Sequence, residues 1–420
     1  MYGWEFPPRI SGGLGIACYG IVQGLLANGV QVTLVLPQSV QDFSQDNLDP
    51  APLAAVNEAL NAKLITIKRF PSLIKPYMSE EVYQQTKRQV SLPGEIETDS
   101  DAEMESGGSP DYARFSWGGE LAAEVVRYAL RTGQVAGMVE HDVIHAHDWL
   151  TVLAGLEAKA ISHKPLIFHV HSLETDRSGE HGNSVIFEIE KYGLEKADKI
   201  IAVSHYTKNV IVSRYHIAPE KIAVVHNGLF SSEFTEEVKH KEARIKTALF
   251  LGRVTYQKGP FYFIEAASRI VAQRKDIQFV LAGEGDLLES MIEHVAALRL
   301  GQYVHFTGFL DRKSVERIYR LSSVYVMPSV SEPFGISCLE ALSHHVPVII
   351  SKQSGVSEVL PAGITVDFWD INELAAKIIA LIDHPKLQME LLENSSRELS
   401  KLSWHNTANN IMQVYQRVLP

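Results

Sequence analysis

Val324-Tyr325-Val326-Met327, followed by Ser331-Glu332-Pro333-Phe334-Gly335-Ile336-Ser337-Cys338-Leu339-Glu340-Ala341-Leu342, decides the fold. Four apolar residues rich in β-formers read as a buried strand, the Ser, Pro and Gly residues as a tight turn, and Ile336 onward as a helix. The first N–H groups of such a helix have no partner within it, so strand, turn and helix start together make a ready anion site. Two carboxylates stand either side of the turn, Glu332 in the loop and Glu340 on the helix, with seven residues between them. Backbone amides of Gly335, Ile336 and Ser337 are placed to hold a phosphate while the carboxylates take hydroxyls. Two acids alone read better as a loop acid and a solvated helix acid, so the rest of the chain has to decide.

The same alternation runs through the sequence. Short β-branched runs separated by helical stretches predict parallel sheets covered by helices, an α/β chain. The first half offers strands at 30–36, 63–68, 143–146, 166–170, 199–203 and 222–225. The second offers 247–251, 277–282, 304–306, 324–327, 346–350 and 364–366. Six strands in each half suffice for a separate sheet, and 420 residues exceed one ordinary core. The polar stretch 231–246 is the expected boundary. Two doubly wound domains, 1–230 and 231–403, then face each other across a cleft at the carboxyl ends of their strands.

Composition narrows the class. With 45% hydrophobic and 21% charged residues the chain is globular, and a net charge of −11 argues against a nucleic-acid partner. Cys18 and Cys338 are too few for a disulfide framework or a cysteine zinc site, which fits a reducing compartment. Neither a membrane-spanning run nor a basic-then-apolar leader is read, so the expected location is cytoplasmic. Two features break the α/β rhythm. Acids recur at alternate positions from Glu95 to Glu105, ahead of Gly107-Gly108-Ser109-Pro110, with no apolar face between them; a mobile acidic insertion is expected. The turn Phe6-Pro7-Pro8 comes where a first buried strand should be. Either that strand is short or the chain begins inside its natural reading frame.

Further motifs fall where such folds bind ligands. Gly12 and Gly13 open a helix and permit close backbone approach to a diphosphate or sugar, although the three-glycine dinucleotide spacing is absent. His145 and His147 share a strand face just before Asp148 and Trp149. Their spacing resembles a metal pair, but no third ligand is evident and a polar cleft wall is the better reading. At the next strand end, His171 is the expected ligand contact and His169 is expected to point into packing. Arg253 and Lys258, five apart in Gly252-Arg253…Lys258-Gly259, suit a diphosphate leaving group or are two solvated cations. Glu284 lies in a tight polar turn, and Phe309 offers a face for a base.

Taken in order, Ile10-Ser11-Gly12-Gly13-Leu14, His145-Ala146-His147-Asp148-Trp149, Gly252-Arg253…Lys258-Gly259, Gly283-Glu284-Gly285 and Glu332-Pro333-Phe334-Gly335…Glu340-Ala341 resemble the family-4 retaining glycosyltransferases. The likeness leans toward their glycogen and starch synthase-like members. It implies the GT-B architecture of two Rossmann-like domains, with a final helix from Trp404 to the C-terminus (404–420) crossing back onto the first, acceptor-side domain. It implies transfer of a hexose, glucose from ADP- or UDP-glucose, to an α-glucan, small sugar or sugar phosphate. Arg253 and Lys258 would neutralise the leaving diphosphate, with Gly12, Gly13, Gly335, Ile336 and Ser337 donating to the same phosphates. Glu340 would hold the ribose, Phe309 would lie against the base, and Glu284 would belong to the donor site. Glu332 and His171 would contact the donor sugar, and Asp148 and Asn227 would face the acceptor side. No cofactor or metal is expected, because the two cations supply the charge. An epimerase of the same architecture, or a nucleotide-sugar-binding protein without catalysis, are the alternatives.

Overall fold

The computed structural model describes residues 1–7, 12–38, 64–73, 80–89, 112–116, 118–179, 182–230, 246–360 and 363–419. The acidic repeat at 95–105, the 9–11 segment and most of the 231–246 boundary lie outside them.

All twelve expected strands form, four with the expected ends and the others with ends shifted by at most three residues: β1 Val32–Gln38, β2 Ile65–Pro71, β3 Ile144–His147, β4 Leu166–Val170, β5 Lys199–Ala202, β6 Ile222–Val224, β7 Lys246–Leu251, β8 Ile277–Ala282, β9 Val304–Gly308, β10 Val324–Met327, β11 Val348–Ser351 and β12 Ile364–Val366. Every pairing is parallel. In the second half the order is β12-β11-β10-β7-β8-β9, the doubly wound arrangement whose direction of winding reverses between β7 and β10. The loops leaving those two strands carry Arg253 and Lys258 on one side and Glu332 on the other.

The first half follows the same plan. β1 pairs with β2, and β3 to β6 run in sequence. Tyr2 joins the two sets, bridging Val35 on β1 and Ala146 on β3, both in parallel sense. A one-residue bridge at Tyr2 thus occupies the slot of a first strand in this sheet. Here the reversal falls between Tyr2 and β3, beside the Gly12-Gly13 helix start and His147.

Apolar side chains from both faces of each sheet are buried under helices. The Trp404–Gln416 helix packs along the Gly13–Ala27 helix, with Trp404, Ala408 and Ile411 buried against Ile21 and Leu25. Gly24 is what permits that approach, since a Cβ there would sit 2.3 Å from the Trp404 carbonyl oxygen and 2.7 Å from Ala408 Cβ. Gly24→Ala therefore sets a helix-propensity gain of at most about 1 kcal/mol against an overpacking cost of about 1–3 kcal/mol. The clash is with backbone, so the cost wins, and a lowered urea or thermal midpoint is the expected result.

Candidate active site

Two tight approaches assemble the second-domain side. After β7, a turn at Tyr256–Lys258 ends in Gly259 at φ 67°, and a Cβ at Gly259 would lie 2.1 Å from the Pro328 carbonyl oxygen. Only glycine tolerates both that backbone and that proximity. The turn is consequently pressed against the chain leaving β10, and Val330 N donates to Gln257 O at 2.9 Å. The result is a short ion pair, Lys258 Nζ to Glu332 Oε2 at 2.6 Å, with the Ser329 hydroxyl 3.4 Å from the same oxygen. Glu332 is 5% exposed. Its backbone is fixed as well, Glu332 N donating to Gln353 O and Glu332 O accepting from Gly355 N, each at 2.9 Å. Arg253 Nη2 reaches the Gln257 side chain at 3.5 Å, which places the guanidinium beside the same turn.

The second approach brings three strand ends together. Gly252 N donates to Ala282 O and Gly283 N to Gly308 O, both at 3.0 Å. A Cβ on Gly283, at φ 134°, would fall 1.9 Å from Gly252 O. Arg253, Glu284 and Phe309 follow these three junctions directly. Phe309 N donates to Glu284 Oε1 at 3.4 Å, and the Phe309 ring is 59% exposed, an open stacking face.

The Ile336–Ser343 helix starts at Gly335 with no side-chain cap, which leaves its first amides to other acceptors. Ser337 is held by two buried tyrosines: its hydroxyl lies 2.8 Å from Tyr325 OH, and its carbonyl accepts from Tyr319 OH at 2.9 Å. Tyr319 OH is also 3.4 Å from Glu340 Oε2. Ile336 packs against the first-domain cluster that includes Phe6 and Tyr19.

In the first domain, β3 and β4 pair with His147 opposite His169. His145, His147, His169 and His171 thereby share one face of the sheet and stack, with ring centroids 4.5 Å apart for His145–His147 and 4.2 Å for His169–His171. His171 Nε2 lies 2.9 Å from His147 Nδ1, and His145 joins His169 at 3.1 Å and Tyr415 OH at 2.6 Å. Sequence reasoning missed His169 as a partner of this pair, because only the strand register reveals it. Three of these residues bring one nitrogen each within 4.8 Å of the others. Their planes are stacked rather than convergent, whereas an imidazole ligates a metal in its ring plane, so the hydrogen-bonded stack describes the geometry better.

Asp148 accepts from the backbone of His171 at 2.6 Å and of Ser172 at 3.2 Å. It therefore positions the loop that carries His171. Asn227 is buried at the end of the first domain, its Oδ1 without a hydrogen-bond partner among the described residues. Gly13 is exposed, and a Cβ there would meet nothing within 4 Å among the described residues.

Burial holds all four histidines neutral, driving His145, His147 and His169 well below the usual range and His171 to about 3. Burial also raises Asp148 and Glu190 to about 7. Between about pH 4.5 and 6 the unfolded chain protonates four histidines that the native state keeps neutral, while the native state holds protons on two carboxyls that the unfolded chain has released. Burial raises Asp176 and Glu157 as well, which offsets part of the difference; the four histidines set the sign, so stability falls as pH drops. Urea midpoints at pH 5 and 7 check this; the higher midpoint is expected at pH 7.

With this geometry in view, comparisons with known proteins carry weight. Residues 231–398 match the family described as glycosyl transferases group 1, and residues 97–230 match Glycosyltransferase Family 4. An uncharacterized glycosyltransferase of Methanocaldococcus jannaschii is 26% identical over 434 residues, covering 99% of this chain and 97% of that protein. The glycogen synthase of Mycobacterium tuberculosis is 22% identical over 428 residues, covering 99% and 93%. Among solved structures, the Anabaena protein HepE in complex with UDP-glucose superposes with a TM-score of 0.67 at 16% identity, over 99% of this chain and 100% of that one. That likeness shows the GT-B fold. The two family matches lie end to end across 97–398, and the chain belongs to the family-4 glycosyltransferases.

Proposed function

We propose that the protein is a retaining hexosyltransferase that moves glucose from ADP- or UDP-glucose to an α-glucan, a small sugar or a sugar phosphate. The observation that carries this reading is the Lys258–Glu332 pair at 2.6 Å, set at the switch point of the second sheet beside an uncapped helix start. A buried carboxylate and a mobile cation side by side suit a reaction that separates a positive sugar carbon from a negative phosphate. The glycogen synthase relative and the HepE complex with UDP-glucose support the choice of a nucleotide-sugar donor.

In this mechanism the diphosphate lies on the Gly335, Ile336 and Ser337 amides, with Gly12 and Gly13 closing from the first domain. Arg253 and Lys258 neutralise charge as the bond from the sugar C1 to the phosphate oxygen breaks. The acceptor hydroxyl attacks C1 from the face the phosphate leaves, and its proton passes to the departing phosphate oxygen. Glu332 stabilises the positive charge on the sugar. His171, neutral and fixed by His147 and Asp148, contacts the sugar from the first domain. Glu340 holds the ribose, Phe309 and Glu284 the base, and Asn227 lines the acceptor side. The two cations supply the charge stabilisation, so no metal is invoked.

The test is a panel of UDP-, ADP- and GDP-glucose against glycogen, maltotriose and glucose 1-phosphate, reading nucleoside diphosphate release and product linkage. Release with UDP- or ADP-glucose, with an α-linked product, is expected. Release with neither would overturn the donor assignment.

A further inference from the structure

We infer that Asp176, a first-domain side chain, sets the position of Glu332 by gripping the neighbouring Ser331, so that the donor carboxylate is correctly placed only while the two domains are docked. This rests on the reading of Glu332 as the residue that meets the donor sugar. Asp176 lies in the short Glu174–Ser178 helix after β4 and is 3% exposed. One carboxylate oxygen accepts from Leu173 N at 2.8 Å; the other accepts from the Ser331 hydroxyl at 2.5 Å. Tyr206 OH stands 2.9 Å from Ser331 Oγ, which completes a chain from phenol to hydroxyl to carboxylate. Hydrogen bonds that end on a charged acceptor are the short, strong ones, and a chain of them is mutually polarised.

The other flank of Glu332 is held in the same way. Pro333 O accepts from Ser204 Oγ at 2.6 Å and lies 3.3 Å from Thr207 Oγ1, both on the first domain. A third contact fixes the docking: Glu358, from the second domain, accepts from His205 N at 2.8 Å and Tyr206 N at 2.7 Å, at the start of the His205–Tyr215 helix. Residues 331 and 333 are therefore both tied to the first domain, while Glu332 between them points its carboxylate at Lys258 in the second.

Asp176 itself stands on a rigid base. Arg177 pairs with Glu174 at 3.1 Å and Glu190 at 2.8 Å and donates to Ser172 Oγ at 2.8 Å. Both Asp176 oxygens are thus engaged in holding backbone and loop, which makes Asp176 a positioning residue.

A small displacement of a reacting group costs rate rather than ground-state binding of the distant diphosphate. Ser331→Ala is expected to lower kcat with UDP-glucose or ADP-glucose by about 10- to 100-fold, while UDP and ADP affinity by calorimetry stays within about twofold of wild type. Ser331→Thr, which restores the hydroxyl, is expected to recover most of the loss. Asp176→Ala is expected to show the same split, and the double variant to lose no more than the worse single one, because both remove one bond. Additive losses, a near-normal kcat in Ser331→Ala, or diphosphate affinity falling in step with kcat would overturn the inference. Glu332→Gln in the same assay separates the two layers. If it retains turnover, the donor-site reading fails; if it is inactive while Ser331→Ala is active, only the positioning role fails.

Discussion

Replacing Glu332 with glutamine is expected to lower kcat by about two to three orders of magnitude with the fold intact. The side chain is buried, its backbone is bridged on both sides, and its Oε2 is already engaged by Lys258. It is thus preorganised, and the removal of one preorganised electrostatic group costs about 10²–10³ in rate. Glutamine keeps the shape and one acceptor oxygen, so Lys258 retains a partner and thermal stability should change by less than about 1 kcal/mol. Steady-state kinetics with UDP-glucose and ADP-glucose should show the loss in kcat, with KM changed far less, because the charge matters most where the sugar becomes positive. A variant that keeps a tenth or more of the wild-type kcat would contradict the assignment.

Lys258→Ala is expected to act differently. Removing the ammonium takes a contact from the diphosphate in the bound state as well as in the transition state, so KM should rise as kcat falls. A combined loss in kcat/KM of about 10³ or more is expected. It also strands a carboxylate that is 6% exposed at its side chain. An uncompensated buried charge costs about 1–3 kcal/mol or more, tempered here because the lysine itself is 22% exposed. The variant should therefore melt lower than wild type, and Lys258→Ala combined with Glu332→Gln should melt higher than Lys258→Ala alone. A double variant less stable than that single one would show that the pair does not govern stability.

These expectations draw on features of unequal visibility in the sequence. The 324–342 stretch is legible because strand, turn and helix start are local, fixed by β-branched residues, Pro333 and Gly335 in order. The Arg253–Lys258 loop is legible for the same reason. What sequence alone hides is anything that depends on register or on long-range docking. His169 joins the histidine stack only because it lies opposite His147 across β3 and β4. Tyr2 joins β1 to β3 through single bridges, too short for a periodicity to register. Asp148 reads as a cleft acid; that its Oδ1 also accepts the amides of His171 and Ser172 emerges only from the fold, which holds Asp148 at a φ of 56° at the start of the Asp148–Ser162 helix. Ser331, an ordinary turn serine by composition, becomes an interdomain contact only when Asp176 is brought to it.

The two acids of the 331–342 stretch are told apart only by their partners. Glu332 and Glu340 are separated by one turn and one helix start, yet the first faces Lys258 and the second Tyr319. Their environments differ, one ionic and buried, the other partly open beside a phenol.

Retention is the central chemical claim, and the anomeric configuration of the newly formed linkage tests it most directly. Proton NMR of the product from UDP-glucose or ADP-glucose, recorded as it forms, should show the α-anomer from the first time point, matching the donor. A β-linked product at early times would mean attack from the opposite face, and would contradict a mechanism in which the departing phosphate, held by Arg253 and Lys258, takes the proton of the incoming acceptor.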